Sequence, residues 1–168
     1  MVEKELVVEL DEKSKVRQKI SVWMASASNW FHVIKELIGN SQDEIMKGNG
    51  DRIEIIVHNK NRIEFIDNAN GLPLEGKSDK GTENWKALLM TLFAGTKYGF
   101  ETAQLGTNGV FLTVLSYSAK NVSYEVGRPN GNIYAISFEQ GEIKEPFRVI
   151  GKTDKTYTRI IFELDEEV

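Results

Sequence analysis

The chain has 168 residues, 40% of them hydrophobic and 27% charged, a profile that suits one globular domain and excludes disordered and fibrous classes. Its formal net charge of −4 argues against a whole-domain electrostatic grip on DNA or an anionic membrane. Cysteine is absent and histidine occurs only as His32 and His58, which excludes disulfides, thiol catalysis and Cys-ligated zinc and leaves little for a histidine relay.

The charged N-terminus carries no signal-peptide pattern, and no apolar run approaches membrane-spanning length, so the expectation is a cytoplasmic protein with no membrane partner. Residues 1–26 read as a strand or arm: Leu6-Val7-Val8-Glu9-Leu10 alternates, and the charged segment Asp11 to Lys19 follows. Residues 27–168 read as one domain. Within 27–47, Trp30, Ile34, Leu37, Ile38 and Ile45 recur at helical spacing, with Ser28 or Asn29 as N-cap and Gly48-Asn49-Gly50 as the stop. Arg52–His58 and Arg62–Ile66 flank Asn59-Lys60-Asn61 and predict a β-hairpin. Asp67 to Pro73 is dense in turn formers.

A polar loop over 74–84 precedes a helix over Trp85–Phe93. A Gly- and Thr-rich loop, Gly95 to Gly109, feeds a helix at Val110–Leu115 that is apolar on nearly all sides and so predicted buried. Strands follow at Asn121–Gly127, Ile133–Glu139, Phe147–Ile150 and Thr156–Leu164, with turns at Pro129–Asn132 and Gln140-Gly141. These elements predict an α+β fold: a two-layer sandwich with helices on one face of a mostly antiparallel, mixed sheet. Trp23, Trp30 and Trp85 read as core or interface anchors, and His58 as a solvent-facing residue at a hairpin end.

Three groups of residues carry possible chemistry. On the first long helix, Glu36, Asn40, Asp43 and Glu44 lie at i, i+4, i+7 and i+8 and share a face. A solvated stripe is the ordinary reading. An Asn oxygen beside carboxylates also suits Mg²⁺ completed by phosphates and water, and a Glu one turn earlier could polarise a water. Asp67, at a strand end between apolar Phe65 and Leu72, reads as a plain turn residue or as a buried acceptor for an exocyclic amine. Gly106-Thr107-Asn108-Gly109, opening a helix, could present backbone N–H groups to phosphate.

Taken in order, the motifs resemble those of the GHKL (Bergerat-fold) ATPase superfamily. Val33 to Glu44 is similar to its N box, Ile66 to Pro73 to its Asp-x-Gly-x-Gly motif, and Leu105 to Val110 to the glycine-rich end of its ATP lid. Leu89 to Tyr98 and Gly151 to Phe162 resemble segments of the type IIA topoisomerase B subunits, the branch of DNA gyrase and topoisomerase IV. The resemblance spans about 28–164. It implies ATP and Mg²⁺ as cofactors and a nucleotide-dependent homodimer. It also implies topoisomerase partner domains or subunits, with DNA met only indirectly.

By the same resemblance, Glu36 is the general base, Asn40 the Mg²⁺ ligand, Asp43 a residue near the nucleotide and Glu44 a support of the stripe. Asp67 binds the adenine amino group and Thr158 reaches it too. Gly71 and Leu72 lie in the binding turn. Lys97 and the backbone of Gly106, Asn108, Gly109 and Val110 hold phosphates. Leu37, Phe65, Leu72, Leu112 and Ile160 line the adenine slot.

The chain departs from the family pattern at several positions. Ala69 replaces a glycine, Asn70 stands where gyrase B has an arginine, Phe111 replaces the lid's last glycine and Gly39 replaces an acidic residue. The N-terminal arm lacks a counterpart of the tyrosine that reaches the partner's nucleotide. The transducer domain and its γ-phosphate lysine are missing, so binding is expected to exceed turnover. Two alternatives stay open. One is a nucleotide-dependent interaction switch with little turnover, whose lid from Gly76 to Gln104 orders on binding. The other is a MutL-like ATPase.

Overall fold

A computed structural model describes residues 11–18, 30–92 and 108–165. Four helices occur among them: α1 (Glu12–Gln18), α2 (Trp30–Met46), α3 (Asn84–Met90) and α4 (Asn108–Ser118). Six strands accompany them: β1 (Ile53–Val57), β2 (Arg62–Asp67), β3 (Asn121–Gly127), β4 (Asn132–Glu139), β5 (Glu142–Lys152) and β6 (Tyr157–Glu163). The strands form one sheet in the order β1-β2-β6-β3-β4-β5. Every pairing is antiparallel, so among the described residues the sheet is not the mixed one expected. The α+β class is as predicted.

Side chains alternate across the pleat, and one face is apolar. Ile63 and Phe65 of β2, Ile160 and Phe162 of β6, Val122, Tyr124 and Val126 of β3, and Ile136 and Phe138 of β4 are all buried in the core beneath the helices. Helix α2 adds Val33, Ile34 and Leu37 from one face. Helix α4 is buried from Phe111 to Ser118, as its sequence predicts, and its polar groups find partners. Thr113 donates to the carbonyls of Leu88 and Thr91, closing the end of α3. Tyr117 Oη donates to the Met90 carbonyl at 2.6 Å, and the Ser116 hydroxyl lies 2.9 Å from that of Tyr124. Trp85 of α3 stacks on Phe147 of β5, which stacks in turn on Tyr134 of β4.

Two segments differ from the sequence expectation. Charged residues 12–18 form a helix, where a strand or arm was expected. Asp11 caps it, its Oδ1 accepting from the Ser14 amide at 2.7 Å, and Val16 is 0% exposed against the core. Arg17 donates to the Tyr117 carbonyl and Glu12 accepts from the Leu92 amide, so polar side chains dock the helix around one apolar anchor. The strand expected at Phe147–Ile150 runs from Glu142 to Lys152. It is an edge strand, mostly exposed, with register shifts and a proline at Pro146, so hydropathy gives no signal for its length.

The other sheet face carries charge. Glu64, 5% exposed, accepts from Arg159 Nε at 2.6 Å and lies 2.8 Å from His58 Nε2. Arg159 also faces Glu125, which accepts from Tyr157 Oη at 2.8 Å. His58, expected to face solvent, is therefore tied to a buried carboxylate while remaining partly exposed. Burial works to raise the Glu64 carboxyl, but hydrogen bonds from Arg159 and His58 outweigh it and hold the group below the usual glutamate value.

Val16→Ala is expected to cost about 2 kcal/mol, lowering the melting temperature by roughly 5 °C in a thermal denaturation scan. A carboxyl depressed in the folded state stabilises fully above its unfolded value near 4.5, and the contribution disappears as pH falls through the folded value. Denaturant titrations from about pH 6 to about pH 3 should therefore show wild type losing stability more steeply than Glu64→Gln below about pH 4.5.

Candidate functional site

The last residue of β2 sits where the chain leaves the sheet, and its register partner on β6 is Thr158. Asp67 is 7% exposed and Thr158 5%. One Asp67 oxygen accepts from the Ser41 hydroxyl of α2 at 2.6 Å, the other from the Ala69 amide at 3.1 Å. A carboxylate has about four acceptor positions, so two such bonds orient it and leave capacity for a further donor. Thr158 Oγ1 accepts from the Leu72 amide at 3.0 Å, which leaves the hydroxyl hydrogen and one lone pair to face a ligand. Side by side, a buried anionic acceptor and a donor–acceptor hydroxyl can read the edge of a heterocycle bearing an amine.

The turn after Asp67 is folded by its own residues. Asn68 Oδ1 accepts from the amides of Asp51 and Arg52, pinning the turn to the entry of β1. Gly71 has φ +76, and a Cβ there would meet the Gly127 carbonyl oxygen at 2.7 Å and that of Tyr157 at 2.9 Å. Only glycine lets the turn lie this close to the ends of β3 and β6. Ala69 is buried and outside the left-handed region, since Gln140 is the only non-glycine residue with positive φ among the described residues. Alanine in place of the motif's glycine therefore carries no left-handed backbone strain. Leu37, Phe65, Leu112 and Ile160 are buried in the adjoining core, and Leu72 is partly buried against it. Phe111 is likewise a core residue, 4% exposed.

The polar stripe on α2 divides. Glu36 is half-buried, and its carboxyl group has no hydrogen bond or ion pair among the described residues. Asn40, one turn on, has its Oδ1 buried without a hydrogen-bond partner. Buried polar atoms are normally satisfied, so this oxygen has the character of a ligand position. Asp43 is exposed. Glu44 is used otherwise: it accepts from Asn49 Nδ2 at 3.0 Å and from Lys47 Nζ at 3.2 Å, closing the helix end. Among the described residues no group of three or more His, Asp or Glu could cage a metal. Of the phosphate-binding candidates, Asn108, Gly109 and Val110 form the first turn of α4, whereas Lys97 and Gly106 lie outside the described residues.

Two residues of the site escape sequence reasoning. Ser41 lies within a quoted motif, yet nothing in its spacing marks the bond to Asp67. Arg128, at the turn between β3 and β4, precedes Pro-Asn-Gly, and nothing in that pattern singles it out; its guanidinium reaches back to the turn after Asp67. No helix among the described residues is long and apolar enough to cross a membrane.

No family model matches the chain. It is 31% identical over 157 residues to the B subunit of DNA gyrase from Staphylococcus epidermidis, covering 91% of this chain and 24% of the relative. It is 33% identical over 139 residues to the B subunit of DNA topoisomerase 4 from Escherichia coli, covering 80% of this chain and 22% of the relative. The chain thus spans about a quarter of the length of these relatives. Its fold matches the 43K ATPase domain of Thermus thermophilus gyrase B, solved in complex with an aminocoumarin, with a TM-score of 0.76 and 24% identity over 95% of this chain and 40% of that one. Over that quarter the chain is homologous to the B subunits of DNA gyrase and topoisomerase IV, and its fold is that of the gyrase B ATPase domain.

Proposed function

We propose that the chain binds ATP with Mg²⁺ and hydrolyses it. The observation that carries this reading is the buried pair at the ends of β2 and β6. Asp67, held by Ser41 and Ala69, keeps acceptor capacity for the adenine amine, and the Thr158 hydroxyl, held by Leu72, keeps a donor beside it. Apolar Leu72 and the core behind it supply the flat slot that a base needs. Asn40 Oδ1, buried and unpartnered, is the hard oxygen suited to the cation. With no acidic cage among the described residues, the donor set fits Mg²⁺, which takes one or two protein ligands and completes its shell with phosphate and water. When bound, Mg²⁺ neutralises phosphate charge and fixes the chain of phosphates.

Glu36 lies one helical turn before Asn40 and is unpaired within the described structure, so its carboxylate can orient a water toward the γ-phosphate. Asp43 stands close to the nucleotide on the exposed rim. Lys97, Gly106 and the N-terminal turn of α4 at Asn108, Gly109 and Val110 contact the phosphates. By likeness to the gyrase and topoisomerase IV relatives, nucleotide binding serves a homodimer gate, and the natural partners are topoisomerase domains or subunits that contact DNA themselves. The setting is cytoplasmic.

Calorimetric titration with a non-hydrolysable ATP analogue and Mg²⁺ is expected to give one-site binding, weakened about 100-fold in Asp67→Ala. A folded wild type that binds nothing refutes the proposal. Glu36→Ala should keep analogue affinity and lose about 10²- to 10⁴-fold in steady-state phosphate release. Unchanged turnover in that variant would remove Glu36 as base and favour the interaction switch.

A further inference from the structure

Arg128 makes four hydrogen bonds to a single short segment. Its Nη1 donates to two successive carbonyls, Asn70 and Gly71, each at 2.7 Å. Its Nε donates to both oxygens of Glu75, at 2.7 and 3.0 Å. The Arg128 side chain is 16% exposed and that of Glu75 25%, so the pair is only partly screened by water. Between the two anchor points lies Leu72, whose amide donates to Thr158 Oγ1. The same segment is tied onward: Glu75 offers its carbonyl to Asn84 Nδ2 at 2.7 Å, and the Trp85 amide donates to the Leu74 carbonyl at 3.1 Å.

From this geometry we infer that Arg128 and Glu75 form a latch that sets base selectivity without touching the base, Arg128 acting as a positioning residue. The inference rests on the nucleotide reading above. The turn has no ladder hydrogen bonds of its own between Asn70 and Pro73, so its height over the sheet is set by Gly71 packing on β3 and β6 and by the guanidinium. Lowering or tilting the turn moves the Leu72 amide off Thr158 Oγ1. The hydroxyl then rotates freely, and a donor fixed toward an amine-bearing heterocycle becomes an undirected one. Phosphate-directed affinity, which the nucleotide reading assigns to Lys97, Gly106 and the first turn of α4, is untouched. Loss of the latch is therefore felt as loss of discrimination between bases.

The test has two readouts on wild type, Arg128→Ala, Arg128→Lys and Glu75→Gln. Amide hydrogen exchange on the ligand-free chain reports the turn directly: faster exchange at Leu72 and Leu74 is expected in all three variants, with β3 and β6 protected as in wild type. Titration with non-hydrolysable ATP and GTP analogues and Mg²⁺ reports selectivity. The ATP-to-GTP affinity ratio should fall about tenfold in Arg128→Ala and less in Arg128→Lys, which keeps the charge but loses the fork. A purely structural role would lower the melting temperature and leave that ratio unchanged, and this outcome overturns the proposal. So does unaltered exchange at Leu72 in the alanine variant. A wild type that binds neither analogue overturns both readings, and is told apart from failure of the latch alone because there wild type binds and its variants match it.

Discussion

A carboxylate almost withdrawn from water has to be held by hydrogen bonds or its burial is a net loss. At the end of β2 that demand is met from two directions, and a third element stands alongside. The α2 hydroxyl of Ser41 and the turn amide of Ala69 bond Asp67 directly, and β6 places Thr158 beside it through strand register. Helix, turn and sheet thus converge on one side chain. The core beneath has the complementary role: Phe65 and Ile160, register partners one pleat back from Asp67 and Thr158, fix the strand ends rigidly enough for a hydrogen-bonding edge to keep its shape.

The sheet divides its duties by face. The helix-covered face is apolar until its last pair, where Asp67 and Thr158 open it to chemistry. The opposite face uses ion pairs where packing is lacking, with Arg159 gripping Glu64 across β2 and β6 and approaching Glu125 on β3. Because Arg159 follows Thr158 in the chain, the residue behind the site is braced by charge while the residue in front is held by Leu72.

How much of this could be read from the chain depended on where the information resides. Glu36, Asn40 and Asp67 sit in short local patterns that single them out as candidates, whereas Gly71 and Thr158 were proposed only through the resemblance to a family's motifs; the alternation around Asp67 and Thr158 predicts the strands that carry them. Helix α1 was hidden because only Val16 of its seven residues is buried, so no apolar period exists to detect. Edge strand β5 was legible only over Phe147–Ile150, and its full length was hidden because its partner, not its composition, makes the rest of it a strand. Ser41 and Arg128 were hidden for a third reason: each acts through an atom contributed from far along the chain, a relation that spacing cannot carry. Glu44 marks the converse limit, since its place on the stripe was legible while its use in closing the helix was not.

The bond from Leu72 to Thr158 joins residues 86 apart in sequence. β6, the strand that completes the site, is also the strand that joins β2 to β3 and so welds the two halves of the sheet together. A chain emerging from the ribosome can form the β1–β2 hairpin early, yet it has no pocket until β6, about 90 residues further on, is available. Assembly of the site and completion of the sheet are therefore one event in folding time. A binding-competent surface on a half-made domain is excluded by topology alone.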